Sequence, residues 1–176
     1  MKETLIFIKE RIAAIIHKPN TEPKGLVIIC PGYLDSKDYA HLKGLCSDLA
    51  TAGYTAVRFD PTGVWNSGGT INDYTVPQQL QDIKDILAYI RADTEYKRIV
   101  LGGHSLGGFI SILYATSDPI ITSVFAIMSP FTLKNIANKR TVRWENSGVR
   151  ISLREAPDKN GKREFRVVTS NQLSES

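Results

Sequence analysis

Apolar and polar positions alternate along this chain with two periods, and the period changes at regular intervals. Thr4–Ile8 and Arg11–His17 read as two short strands joined by a charged turn, a predicted hairpin. Leu26–Cys30 (LVIIC) and Tyr54–Phe59 (YTAVRF) are short, nearly continuous apolar runs, the pattern of strands buried on both faces. Between them, Leu42, Leu45, Leu49 and Ala52 recur at helical spacing, which predicts a helix over Ser36–Ala52 closed by Gly53. Pro77 opens a second predicted helix whose Leu80, Ile83, Ile86, Leu87 and Ile90 form a stripe. Ile99–Leu101 is again a buried strand, and Phe109, Ile110, Ile112, Leu113 and Tyr114 cover more than one helical face, so that helix is expected to be buried. Ser123–Met128 is the next strand.

Strand, helix, strand, helix, strand, helix, strand is the rhythm of an α/β fold, a mostly parallel sheet with helices on both faces. Beyond Phe131 the pattern changes. Val149–Arg154 alternates apolar and polar residues, Asp158-Lys159-Asn160-Gly161 is a turn signal, and Phe165-Arg166-Val167 resumes the alternation. This predicts a small antiparallel hairpin with one apolar face. Thr169–Ser176 is polar and is expected to fray. The expected division is therefore residues 1–133 as core and residues 134–176 as a basic hairpin with a polar tail.

Composition and charge sharpen this outline. At 176 residues, 42% hydrophobic and 23% charged, the chain is one ordinary globular domain. Residues 1–133 carry a net charge of −1 and residues 134–176 a net of +5. Nothing in the basic stretch resembles a nucleic-acid-binding motif, so a solvated face is expected rather than a nucleic-acid partner. No apolar stretch has the length of a membrane span, and Leu5–Ile8 is closed by charges, unlike a signal peptide. Cys30 and Cys46 fall in a predicted strand and a predicted helix, which suits reduced thiols and a cytoplasmic address.

The candidate chemistry lies at Gly103-His104-Ser105-Leu106-Gly107, a G-x-S-x-G match between the third buried strand and its helix. A serine on such a turn projects its hydroxyl away from the backbone, while Gly103 and Gly107 admit close approaches. Further matches precede it in order: Val27–Tyr33, Ser36–Tyr39 with Leu49–Gly53, and Arg58–Gly63 with Ser67-Gly68-Gly69. Together these residues, over about 12–131, resemble the α/β-hydrolase superfamily, particularly its serine-aminopeptidase-like and acyl-esterase-like branches. The resemblance implies Ser105 as the nucleophile, forming an acyl-enzyme on a carboxylic ester or peptide bond. It implies the backbone N–H groups of Leu106 and Tyr33 as the oxyanion hole, with Pro31-Gly32 where His-Gly is usual.

That superfamily places an acid and then a histidine after the serine. The histidines here are His17, His41 and His104, and none follows Ser105. His104 adjoins the serine, but neighbours on a tight turn point apart. His17 and His41 read as structural or exposed, Asp60 as loop-forming, and Asp158 as part of a turn. The chain is thus expected to be truncated before the superfamily's last two strands, with the hairpin as a partial or complete cap. Ser123–Met128 would then lie at an open sheet edge and invite self-association. Hydrolysis is expected to be slow without a base. The alternatives are a non-catalytic binding protein and completion of the site by a partner chain. No metal cluster, phosphate loop or dinucleotide fingerprint stands in the sequence, so no cofactor is expected.

Overall fold

The structure is a computed structural model, and it describes residues 1–132, 149–157 and 161–168. It contains a mostly parallel six-stranded sheet, three helices and a separate two-stranded hairpin. In chain order the elements are β1 (Lys2–Ile8), β2 (Ile12–Lys18), β3 (Leu26–Cys30), α1 (Ala40–Thr51) and β4 (Thr55–Phe59). They continue with α2 (Val76–Ile90), β5 (Ile99–His104), α3 (Leu106–Ala115), β6 (Ser123–Ile127), β7 (Val149–Glu155) and β8 (Lys162–Val168). The sheet order is β1-β2-β4-β3-β5-β6, with the β1–β2 and β2–β4 pairs antiparallel and the other pairs parallel.

The central parallel strands β3, β4 and β5 are covered on both faces, and period two decides which residue goes where. Leu26, Ile28, Val57, Phe59, Ile99 and Leu101 point into one core with Ile83, Ile86, Ile110 and Tyr114 of α2 and α3. Val27, Ile29 and Ala56 point the other way, against Leu42 and Cys46 of α1. The first hairpin turns at Lys9 and Glu10. Both have positive φ, 50° and 54°, as a type I′ hairpin turn requires. Gly53 has a φ of +97° and closes α1, where its N–H donates to Ala50.

Three expectations are corrected. The first helix begins at Ala40 rather than Ser36, because the preceding turn is used elsewhere: the Lys37 N–H donates to buried Asp60 Oδ1 at 2.8 Å. α3 is not buried all round, since Ile112 and Leu113 are exposed while Ile110 and Tyr114 face the core. It packs against α2 and the sheet on one side only. The late hairpin has no single apolar face. Ser152 opposes Phe165 and Leu153 opposes Glu164, so the apolar residues of β7 and β8 fall on opposite faces. Phe165 and Val167 are buried against Leu34, Val64, Trp65 and Tyr74, whereas Ile151 and Leu153 are exposed. His17, one residue from the end of β2, is fully buried, which agrees with a structural role.

Among the described residues β6 lies at the sheet edge, and β7 and β8 pair with each other rather than with it. The turn at Asp158-Lys159-Asn160, residues 133–148 and the tail from Thr169 lie outside the described residues.

Candidate active site

β5 enters the site between β3 and β6, and the chain turns at Ser105 directly into α3. Ser105 has φ 52° and ψ −119°, a conformation that costs a non-glycine residue about 1–3 kcal/mol. Surrounding bonds hold it there. Its N–H donates to the Ile127 carbonyl at 2.9 Å, and its own carbonyl accepts from Gly108 and Phe109 at 3.1 and 3.2 Å. A Cβ on Gly107 would overlap the Cys30 and Pro31 carbonyl oxygens, and one on Gly103 would meet the Cys30 oxygen at 2.7 Å. These two glycines let α3 start hard against the end of β3. Leu106 is the first helical residue, where backbone N–H groups have no intrahelical acceptor.

The loop after β3 is locked beside this turn. The Asp35 N–H donates to the Gly32 carbonyl at 3.0 Å, and Leu34 sits at φ 57°. Both polar groups of Leu34 are engaged: its N–H donates to the Tyr74 hydroxyl at 2.9 Å, and its carbonyl accepts from Trp65 Nε1 at 3.1 Å. The late hairpin reaches the same loop. Arg154 donates to the Tyr33 carbonyl at 2.8 Å, Arg163 donates to the Trp65 carbonyl at 2.7 Å, and Tyr39 donates to the Glu155 carbonyl at 3.0 Å. Trp65 and Phe165 meet edge to face at 5.2 Å. Tyr74, Trp65, Arg154 and Arg163 carried no signal in the sequence, because only the fold brings them to residues 33–35 and 65.

Below the loop lies a network of buried charge. Lys37 Nζ donates to Asp60, Asp38 and Asn66 at 2.8–2.9 Å. Arg58 donates to the Lys37 carbonyl, to Asp38 and to His17 Nε2. Asp82 accepts from the N–H and hydroxyl of Thr62. A buried ion pair that also satisfies backbone donors fixes geometry more than it adds stability. Burial tends to raise the Asp38 pKa, but hydrogen bonds from Lys37 and Arg58 outweigh it and hold the carboxyl below its usual range. Burial pushes the Cys30 thiol up to about 12, so Cys30 stays protonated at neutral pH.

The histidines separate into one buried residue and one pair. Burial lowers the His17 pKa, and Arg58 adds to this while Glu3 opposes it. His41, on the first turn of α1, and His104, beside Ser105, approach with ring centroids 5.9 Å apart. Asp35 joins them, with Oδ2 3.8 Å from His104 Nδ1. One potential ligand atom from each of Asp35, His41 and His104 lies within 4.8 Å of the other two. Linear spacing had shown no such cluster.

Residues 21–173 match the family described as serine aminopeptidase, S33. The chain belongs to the serine aminopeptidase S33 family. Among curated relatives, it is 24% identical over 127 residues to the mitochondrial palmitoyl-protein thioesterase ABHD10 of Bos taurus, which covers 68% of this chain and 40% of the relative. It is 27% identical over 122 residues to a monoacylglycerol lipase of Mycolicibacterium smegmatis, covering 68% of this chain and 42% of that protein. The S33 chain thus spans about two-fifths of the length of these relatives.

Solved structures agree on the fold. The ferulic-acid-bound Est1E of Butyrivibrio proteoclasticus superposes with a TM-score of 0.73 at 21% identity, covering 96% of this chain and 68% of that one. A putative hydrolase from Agrobacterium vitis S4 superposes at 0.71 with 20% identity, covering 98% and 69%. The S33 chain is an α/β hydrolase by family and by fold. Among the described residues, no helix is long and apolar enough to cross a membrane.

Proposed function

We propose that the chain carries the serine side of a hydrolase site acting on carboxylic esters, thioesters included, or on peptide bonds. Ser105 Oγ attacks the carbonyl carbon while its proton passes to a base. The alcohol, thiol or amine then leaves, and water hydrolyses the acyl-enzyme. The N–H groups of Leu106 and Tyr33 hold the oxygen as it gains charge, each worth roughly a hundred- to a thousandfold in rate. The observation that carries this reading is the positive φ of Ser105 at the turn from β5 into α3. The locked loop at Gly32–Asp35 supports it, because donors fixed before the reaction need no reorganisation during it. The printed names of the relatives, a thioesterase and a lipase, favour ester-type bonds.

In this reading residues 1–133 are the first part of the core and residues 134–176 a cap, supported by the contacts of Arg154 and Phe165 with residues 33 and 65. The free, buried cysteines suit a cytoplasmic address. No histidine follows Ser105, and His17 is engaged by Arg58, so these 176 residues turn over slowly. That observation also favours a second reading: a non-catalytic binding protein, or a site completed by a partner chain. A fluorophosphonate probe separates them. The hydrolase reading expects labelling that Ser105→Ala abolishes, with only slow cleavage of a p-nitrophenyl ester. No labelling sinks it in favour of the binding protein, and labelling gained only on mixing with another chain supports completion by a partner. Brisk turnover lost in Ser105→Ala would refute the slow-turnover part.

A further inference from the structure

Asp35, His41 and His104 come from three separate places in the chain: the loop after β3, the first turn of α1 and the end of β5. Two imidazoles and a carboxylate are a donor set for a divalent first-row metal, and Zn2+ takes such ligands at about 2.0–2.2 Å in tetrahedral sites. Bonds of that length place ligand atoms roughly 3.3–3.6 Å apart. Asp35 Oδ2 and His104 Nδ1, at 3.8 Å, already stand near this separation and too far apart for a hydrogen bond. His104 Nδ1 is itself buried and makes no hydrogen bond among the described residues. A buried ring nitrogen without a partner is costly, and a metal ion at this position would satisfy it. His41 is exposed on the helix surface, so its side chain has room to close the remaining distance within the 4.8 Å cluster.

The neighbouring groups suit the same role. Arg154 Nη1 lies 4.0 Å from Asp35 Oδ1, the oxygen facing away from the closest His104 contact. A cation on Oδ1 leaves Oδ2 for the metal and orients the carboxylate, as partners of metal ligands commonly do. Asp35 is mostly buried, and its N–H is tied to the Gly32 carbonyl, so its position is set by the loop. Three protein ligands leave a fourth position open to water.

We propose that Asp35, His41 and His104 form a divalent-metal site, suited to Zn2+, that ties the Pro31–Asp35 loop and the start of α1 to the turn at Ser105. The site joins the two segments that flank the proposed oxyanion position, and it does not depend on Ser105 being a nucleophile.

The test is calorimetric titration of the metal-free full chain with Zn2+ near neutral pH, repeated for His41→Ala and Asp35→Asn. The expected result is one Zn2+ per chain, with affinity reduced at least about tenfold in each variant. Co2+ in the same site is expected to give visible ligand-field absorption that both variants lose. His41→Ala removes an exposed side chain and leaves folding intact, so it decides the matter even where Asp35→Asn disturbs the loop. Absence of stoichiometric binding overturns the proposal. So does binding that His41→Ala leaves unchanged, which would place the ion on the thiols or the N-terminus instead.

Discussion

β3 and β6 are both five-residue, largely apolar strands, LVIIC and SVFAI, and both pair in parallel with β5. Their fates differ. Every residue of β3 is buried, whereas four of five in β6 are exposed, and Met128 just beyond it is 83% exposed. β3 has a strand on each side and helices over both faces, while among the described residues β6 has one neighbour and is the outer strand of the sheet. Position in the sheet, rather than hydrophobicity along the strand, sets the burial. The serine turn draws on both environments: its glycines pack against the end of β3, and the Ser105 N–H is held by Ile127 at the end of β6.

The largest test of this contrast is truncation on each side. Ile28→Ala in β3 is expected to cost about 2–5 kcal/mol in urea unfolding, because it opens a cavity between α2, α3 and the sheet. Val124→Ala in β6 is expected to cost about 0.5 kcal/mol or less. Equal losses at the two positions would refute the account. Next in size is Gly107→Ala, whose new Cβ would press on the Cys30 and Pro31 carbonyls. Overpacking of this kind costs about 1–3 kcal/mol, and the displaced α3 is also expected to abolish any fluorophosphonate labelling.

Acid probes the interior from another direction. Burial holds the His17 pKa below its ordinary 6.5, so the folded state favours the neutral ring. The stabilisation is full above pH 6.5 and is lost as pH falls through the window between 6.5 and the lowered folded value, where the unfolded chain takes up the proton first. His17→Gln is expected to flatten the urea midpoint against pH in that window, and an unchanged slope would count against it. The smallest effect on stability is expected at the edge itself. Ile127→Lys should change stability by no more than about 0.5 kcal/mol. If β6 mediates self-association, the same variant lowers the apparent mass by light scattering.

The fold was readable to a large extent because its signals are local. LVIIC fills β3 residue for residue, Pro77 stands at the start of α2, and the turn after Ile8 takes positive φ at both central residues. The first helix starts one turn later than its spacing implies, since a distant carboxylate, Asp60, claims the Lys37 N–H that helical spacing assigns to α1. The hairpin differs from its sequence pattern by face. Alternation shows that two faces exist, but the register between β7 and β8 and the docking of Phe165 on Trp65 choose which is covered.

By itself the sequence determined the strand–turn–helix at Ser105, because its signals are local, whereas the steric need for glycine at 107 comes from the Cys30 and Pro31 carbonyls at the end of a distant strand. Only the tertiary structure decided that Tyr74 and Trp65 would lock Leu34, that Arg154 would reach Tyr33, and that Asp35, His41 and His104 would converge. Those residues lie far apart along the chain. Periodicity can say which face a side chain takes, but the parallel crossovers that stack β3, α1 and β5 together decide what it meets there.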